Sequence, residues 1–229
     1  MKKEAVDHSK TYTRFSFRNI PHILRLKSLI KYIKTVAQSR KINSYADFGC
    51  SNGYITKEVL GILGEVDVYG GDVTDNIYSA KKLIPNGIFE YFDLCNPKDN
   101  FRSFDFVTCF ETLEHVGNPK IATQTLINLT KEGGTLLISV PIETGISGLM
   151  KLFIKLLIYK EDFSLECGRY EYAKKLFLNK RIESLRHPAE FYGPHYGFDW
   201  RLIKEFLDKK NIEYTISTKF TTKIFLITK

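Results

Sequence analysis

The sequence predicts an α/β fold, a doubly wound and mostly parallel sheet. Two observations carry this. Short apolar runs alternate with amphipathic segments from residue 43 to residue 141, the pattern of parallel strands joined by crossover helices. The singular polar residues fall at the ends of those runs (Asp47 with Gly49, then Asp72, Asp93 and Glu111), the edge at which open α/β sheets hold ligands. A chain of 229 residues is long enough for one such domain with an insertion.

Residues 1–18 are polar with scattered aromatics and read as an arm. A helix is expected from Asn19, with Pro21 near its first turn. Ile23, Leu26, Ile30, Ile33 and Ala37 form its apolar stripe, and Lys27, Lys31 and Lys34 line another face. That basic face is either solvated or a surface for an anionic substrate, a membrane or nucleic acid. The first strand runs through Tyr45 to Phe48 and opens into Gly49-Cys50-Ser51-Asn52-Gly53, ahead of an amphipathic helix from Tyr54 to Leu63. Val66–Asp72 is a second strand, and a short helix, Asn76–Ile84, is broken by Pro85. Ile88–Phe92, ending at Asp93, is a third strand, and Phe104–Phe110 a fourth. Pro119–Lys131 reads as a helix closed by Gly133-Gly134, and Thr135–Val140 as a fifth strand stopped by Pro141.

Residues 142–196 form an insertion where substrate specificity is expected. Its first part, Ile146–Tyr159, is apolar almost all round except Lys151 and Lys155, one turn apart. At fourteen residues it is too short to span a bilayer. It reads as a buried lid helix, a dimer contact or an interfacial membrane contact. The following stretch is rich in Tyr, Phe, Lys and Arg, a composition that serves sugar, base or phosphate contacts and amphipathic helices alike. Asp199–Lys209 is a helix, and Glu213–Thr218 with Lys223–Thr228 are close enough to pair as a hairpin.

The chain carries a net charge of +8, unevenly placed. Residues 1–42 hold eleven Lys or Arg against two acids, so that segment is +9 and residues 43–229 are about −1. The basic character is therefore expected in an N-terminal appendage (1–42), apart from the body (43–229). Met1–Lys10 is charged and has no apolar core segment, so no secretory leader is expected. Cys50, Cys95, Cys109 and Cys167 show no CxxC pair, which argues against a zinc site or a disulfide framework. The expected compartment is a reducing cytoplasm.

The junction Asp47–Gly53 has the form acidic-x-Gly-x-small-x-Gly. A tight loop there would gather the unpaired N–H groups and positive dipole end of a helix N-terminus, and glycine lets a ligand approach the backbone. Alone it is also an ordinary strand-to-helix turn. The stretch resembles motif I of the class I S-adenosylmethionine-dependent methyltransferases, with Ser51 where the middle glycine normally sits. The segment Phe104–Val116, containing Glu111-x-x-Glu114-His115, resembles motif IV of a large bacterial group of these enzymes. Lys131–Pro141 resembles the turn and fifth strand that follow it. The resemblance implies a Rossmann-like sheet of seven strands ending in a hairpin. It implies S-adenosylmethionine as cofactor, bound by Asp47, Gly49, Cys50, Ser51, Gly53, Tyr54, Asp72, Val73, Asp93, Leu94 and Glu111. Asp72 would bond the ribose hydroxyls, and Asp93 with Leu94 would meet the adenine. A nicotinamide dehydrogenase would share the loop and the acid, but the G-x-G-x-x-G spacing is missing.

For chemistry, His115 or His195 is the candidate general base, with Glu114 beside them. If the segment after the fourth strand opens as a helical turn, Glu111, Glu114 and His115 share one face. With His195 they would suit a divalent metal, as in the resembling small-RNA terminal 2′-O-methyltransferases, although the metal-free arrangement is favoured. The expected acceptor is a hydroxyl of a small molecule or glycan, lipid- or nucleotide-linked forms included. An RNA 2′-O-methyltransferase and a non-catalytic S-adenosylmethionine-binding module are the alternatives. Nucleic acid is disfavoured by the near-neutral body, and the chain is expected to act as a monomer or homodimer.

Overall fold

The computed structural model describes residues 11–12, 19–99, 101–157, 165, 167–186, 189 and 195–229. Most of the N-terminal arm, Tyr159 and Gly193-Pro194 lie outside these residues. The elements in chain order are α1 (Ile20–Ser39), β1 (Ser44–Phe48), α2 (Tyr54–Leu63), β2 (Asp67–Asp72), α3 (Ile77–Leu83) and β3 (Ile88–Tyr91). There follow β4 (Phe104–Phe110), α4 (Pro119–Asn128), β5 (Thr130–Pro141), α5 (Gly145–Leu157) and α6 (Arg169–Phe177). A short 3₁₀ turn (Glu183–Leu185), α7 (Arg201–Lys209), β6 (Tyr214–Lys219) and β7 (Thr222–Thr228) complete them.

The seven strands form one sheet in the order β3-β2-β1-β4-β5-β7-β6. Only β7 runs against the rest, pairing antiparallel with both β5 and β6. All five residues of β1 are buried, as a central parallel strand covered on both faces requires. The alternation along the strands divides the core. Ala46 and Phe48 face α4 and α7, packing with Leu126, Ile203 and Leu207. Tyr45 faces α1, α2 and α3, packing with Ile33, Val59 and Ala80. The insertion has its own small core of Leu152, Tyr172, Leu176, Ile182 and Tyr196.

Three local expectations are corrected. In α1 the buried residues are Leu26, Leu29, Ile33 and Val36, while Ile30 and Ala37 are only half-buried. The helix packs about one residue's rotation away from the expected stripe, and Lys27, Lys31 and Lys34 still face solvent. The helix after β4 ends at Asn128, well before Gly133-Gly134. The next residues already belong to β5, because Thr130 pairs with Phe104 and its hydroxyl donates to the Leu126 carbonyl at 2.8 Å. Register then jumps to Phe106 opposite Thr135, so Lys131–Gly134 bulge out of the ladder. Finally, α5 is not a buried helix. It packs against α6, burying Gly148 and Leu152, but leaves Ile146, Met150, Phe153 and Leu157 largely in solvent. Among the described residues, no helix is long and apolar enough to cross a membrane.

Candidate active site

β1 and β4 are neighbours at the point where strand order reverses, and a cleft of about 1440 Å³ opens at their carboxyl ends. A pocket for one small ligand is typically about 300–1,000 Å³, so this cleft has room for two. Of the residues singled out from sequence, Asp47, Gly49, Cys50, Ser51, Tyr54, Asp72, Val73, Asp93, Leu94, Glu111, Glu114, His115 and His195 line it. Gly53 does not. It is buried behind the loop at φ +77°, where a Cβ would stand 2.9 Å from the Ala80 Cβ, so its role is to let α2 start close against α3.

The loop is pinned from β2. Gly49 and Cys50 donate their N–H groups to the Gly71 carbonyl at 2.7 and 3.3 Å, and Ser51 donates to Asp72 Oδ2 at 2.8 Å. Gly49 and Ser51 both have positive φ, +80° and +46°. The serine hydroxyl accepts from the Asn76 amide at 3.0 Å. Asp72 Oδ1 also accepts from the Thr74 N–H and hydroxyl, and Asp93 closes its own turn by accepting from the Cys95 N–H at 2.8 Å. Asp47 is buried and accepts from the Thr56 hydroxyl at 2.7 Å and the Thr108 hydroxyl at 2.8 Å. Burial pushes its pKa up to about 6 against those two hydrogen bonds, and the negative charge of Asp72 adds to the rise.

The segment after β4 does not open as a helical turn at Glu111. That residue has φ +48°, so its side chain leaves the direction taken by Glu114 and His115. Its carboxylate accepts from Arg25 of α1 and from the Ser139 hydroxyl at 3.1 Å. Glu111 is therefore tied to the cleft wall and stands apart from the cluster its neighbours form. Glu114 is fully buried, and neither carboxylate oxygen has a hydrogen-bond partner among the described residues. Burial first, and the charge of Glu111 second, push its pKa well above the usual carboxylate range. His115 and His195 meet with their Nε2 atoms 3.2 Å apart and their rings nearly perpendicular. Glu114, His115 and His195 each offer one ligand atom within 4.8 Å of the others, a donor set that fits a divalent cation.

Several cleft residues were not marked by the sequence. Tyr12 stacks on Tyr54 with ring centroids 5.5 Å apart, His22 Nδ1 lies 2.6 Å from Arg25 Nη2, and all four line the cleft. The separation of a basic appendage from the body thus breaks down, because α1 supplies one wall of the site. Glu143, two residues past the end of β5, was also unmarked. It is buried and ion-paired to Lys151 at 3.0 Å and Lys155 at 3.4 Å, and its signal was that lysine pair on an otherwise apolar helix.

The sequence matches the family model described as "Methyltransferase domain" over residues 14–194. It is 31% identical over 148 residues to a protein of Haemophilus ducreyi named ubiquinone biosynthesis O-methyltransferase. That similarity covers 60% of this chain and 61% of the relative, so the shared region is less than two thirds of that protein's length. The fold is similar to that of the plantazolicin methyltransferase solved with a substrate analogue and SAH (TM-score 0.62, 13% identity, 96% of this chain and 88% of that one). It is similar also to the magnesium protoporphyrin IX methyltransferase of Synechocystis PCC 6803 with bound SAH (TM-score 0.57, 13% identity, 100% and 90% of the two chains).

Proposed function

Because this chain belongs to the methyltransferase-domain family, we propose that it is an S-adenosylmethionine-dependent enzyme that O-methylates a hydroxyl of a small molecule, using the His115–His195 pair to take the proton. The observation that carries the reading is the 3.2 Å contact between the two Nε2 atoms at the cleft. In such a contact one ring donates and the other accepts, so an acceptor hydroxyl that displaces the donor ring would meet a basic nitrogen at the second ligand's space. The name of the Haemophilus ducreyi relative supports a small-molecule hydroxyl over a glycan or RNA.

When bound, S-adenosylmethionine supplies a methyl group on a cationic sulfur that leaves as a neutral thioether. The protein's task is alignment and proton removal. The loop Gly49–Ser51, with Asp47 and Asp72, would hold the cofactor at one end of the cleft, and Asp93 with Leu94 would meet its adenine there. Glu111, clamped by Arg25 and Ser139, keeps the far wall fixed. The hydroxyl proton lost on methylation would pass to an imidazole Nε2, freed as the hydroxyl displaces the other ring. Calorimetry with S-adenosylmethionine tests the cofactor site. SAH release is then measured with a dihydroxybenzoate, a nucleotide sugar and a short RNA, and mass spectrometry locates the new methyl. O-methylation of the dihydroxybenzoate is the expected result; a methyl found on RNA or on nitrogen overturns it.

Glu114 favours a second reading. Its unpartnered carboxylate, with His115 and His195, would hold a divalent cation that lowers the pKa of the acceptor hydroxyl. Loss of activity with EDTA and its recovery with Mg²⁺ or Zn²⁺ selects this reading, and indifference to EDTA removes it.

Asp47 makes cofactor binding depend on pH. Its folded pKa of about 6 lies above the ordinary value of 3.8, so its proton stabilises the empty protein fully below about pH 4. That contribution, about 3 kcal/mol, is lost as pH rises through 6. A cationic ligand beside Asp47 favours the carboxylate and expels the proton. Affinity for S-adenosylmethionine should therefore fall as pH drops below 6, by up to about tenfold per unit. Calorimetry at pH 5.5 in two buffers of different ionisation enthalpy should detect about three-quarters of a proton released, the fraction that Asp47 holds there; none released removes Asp47 from the cofactor site.

A further inference from the structure

The two ends of the insertion meet at Glu143 and His195. Glu143 lies two residues past the end of β5, and Lys151 and Lys155, four residues apart on α5, both reach its carboxylate. His195 Nδ1 lies 3.7 Å from Glu143 Oε1, on the side of the ring opposite His115. The chain just beyond His195 is anchored by the insertion. The Lys155 ammonium sits 4.8 Å from the centre of the Tyr196 ring, and the Gly197 N–H donates to the Tyr172 hydroxyl at 3.0 Å.

We infer that Glu143 is the positioning residue for His195: it holds the ring so that Nδ1–H points at the carboxylate and the Nε2 lone pair points at His115 Nε2, on the cleft side of the ring. This rests on the reading above of His195 as part of the proton-accepting pair. Two ammonium groups already balance the single carboxylate, so the contact acts through ring orientation and tautomer more than through net charge. An acceptor oxygen at residue 143 is what fixing this tautomer requires, because a donor there would pair with the Nδ1 lone pair and reverse the ring's polarity. With Nδ1 carrying the hydrogen, His195 Nε2 is the accepting nitrogen of the pair and His115 Nε2–H its donor, so that lone pair reaches an acceptor hydroxyl when the hydroxyl displaces His115. Helix α5 thereby becomes part of the catalytic apparatus without touching substrate.

The test is the tautomer itself, read in the full-length protein with SAH bound and histidine labelled with ¹⁵N. Long-range proton–nitrogen correlation spectra should show His195 protonated at Nδ1 and bare at Nε2, the signal being assigned by its loss in His195→Gln. In Glu143→Ala that preference should be lost, with turnover of the dihydroxybenzoate down about tenfold or more and KM for S-adenosylmethionine within about twofold. Glu143→Gln, which keeps an acceptor for Nδ1–H, should retain the tautomer. A parent protein found protonated at Nε2 and bare at Nδ1 overturns the inference, whether or not the alanine variant folds. The failure is separable from that of the general-base reading, because turnover in His195→Ala is measured independently of the tautomer.

Discussion

Replacing Gly49 with valine should weaken binding of S-adenosylmethionine and SAH by more than about a hundredfold, or about 3 kcal/mol. Two effects act together. Gly49 sits at φ +80°, a region that β-branched side chains avoid. A Cβ there would also stand 2.0 Å from the Thr112 hydroxyl oxygen and 2.6 Å from its methyl, contacts no side-chain rotation at residue 49 relieves. The loop and the β4 exit must then separate, and the cofactor end of the cleft is lost with them. The substitution acts by breaking the fit of loop on Thr112, more than by filling the space of the methionine part. A double-mutant cycle separates the two. Gly49→Ala combined with Thr112→Gly should recover part of the affinity lost in Gly49→Ala alone, with a coupling of about 1 kcal/mol or more. Ser51→Gly should bind within about threefold of the parent. It gives up the hydrogen bond from Asn76 but relieves a left-handed serine at φ +46°. Normal binding by Gly49→Val in calorimetry would mean that this loop is not the cofactor site.

The fold was legible where local pattern and tertiary role coincide. β1, β2, β4 and α2 are apolar runs or amphipathic segments bounded by Gly or acidic residues, and burial in a parallel sheet demands that pattern. The end of α4 was not legible, because no residue in Asn128–Thr130 marks a stop. The helix ends there because Thr130 is captured by Phe104, a partner remote in sequence. Glu111 shows the same limit. A left-handed glutamate has no sequence signature, and its conformation is imposed by Arg25 on α1 and Ser139 on β5. The part of the cleft lined by Asp47, Asp72 and Asp93 was readable from acids at successive strand ends. The part lined by Tyr12, His22, Arg25 and His195 was not, since α1 and the insertion reach it from distant parts of the chain. Charge bookkeeping misled there: summing residues 1–42 as one basic block hid the difference between Lys27, Lys31 and Lys34 in solvent and Arg25 in the cleft.

His195→Ala should lower turnover about 10²–10³-fold while leaving the affinity for SAH within about threefold. The fold tolerates the change. Glu143 keeps its two lysine partners, and the insertion core of Leu152, Tyr172, Leu176, Ile182 and Tyr196 does not include residue 195. What is removed is one half of a pair whose Nε2 atoms lie 3.2 Å apart, so the effect should appear in kcat and not in cofactor binding. His115→Ala should cost a comparable factor, because an unpartnered His195 loses the donor that sets which lone pair faces the acceptor. If the two rings work as one unit, the double variant should be scarcely slower than either single one, since groups that act together are strongly non-additive. Losses that instead multiply would assign the rings independent tasks, one as base and one in holding the acceptor. Turnover unaffected by His195→Ala would move the proton acceptor elsewhere in the cleft. It would also leave the contact between Glu143 and His195 as a staple that closes the insertion on α5.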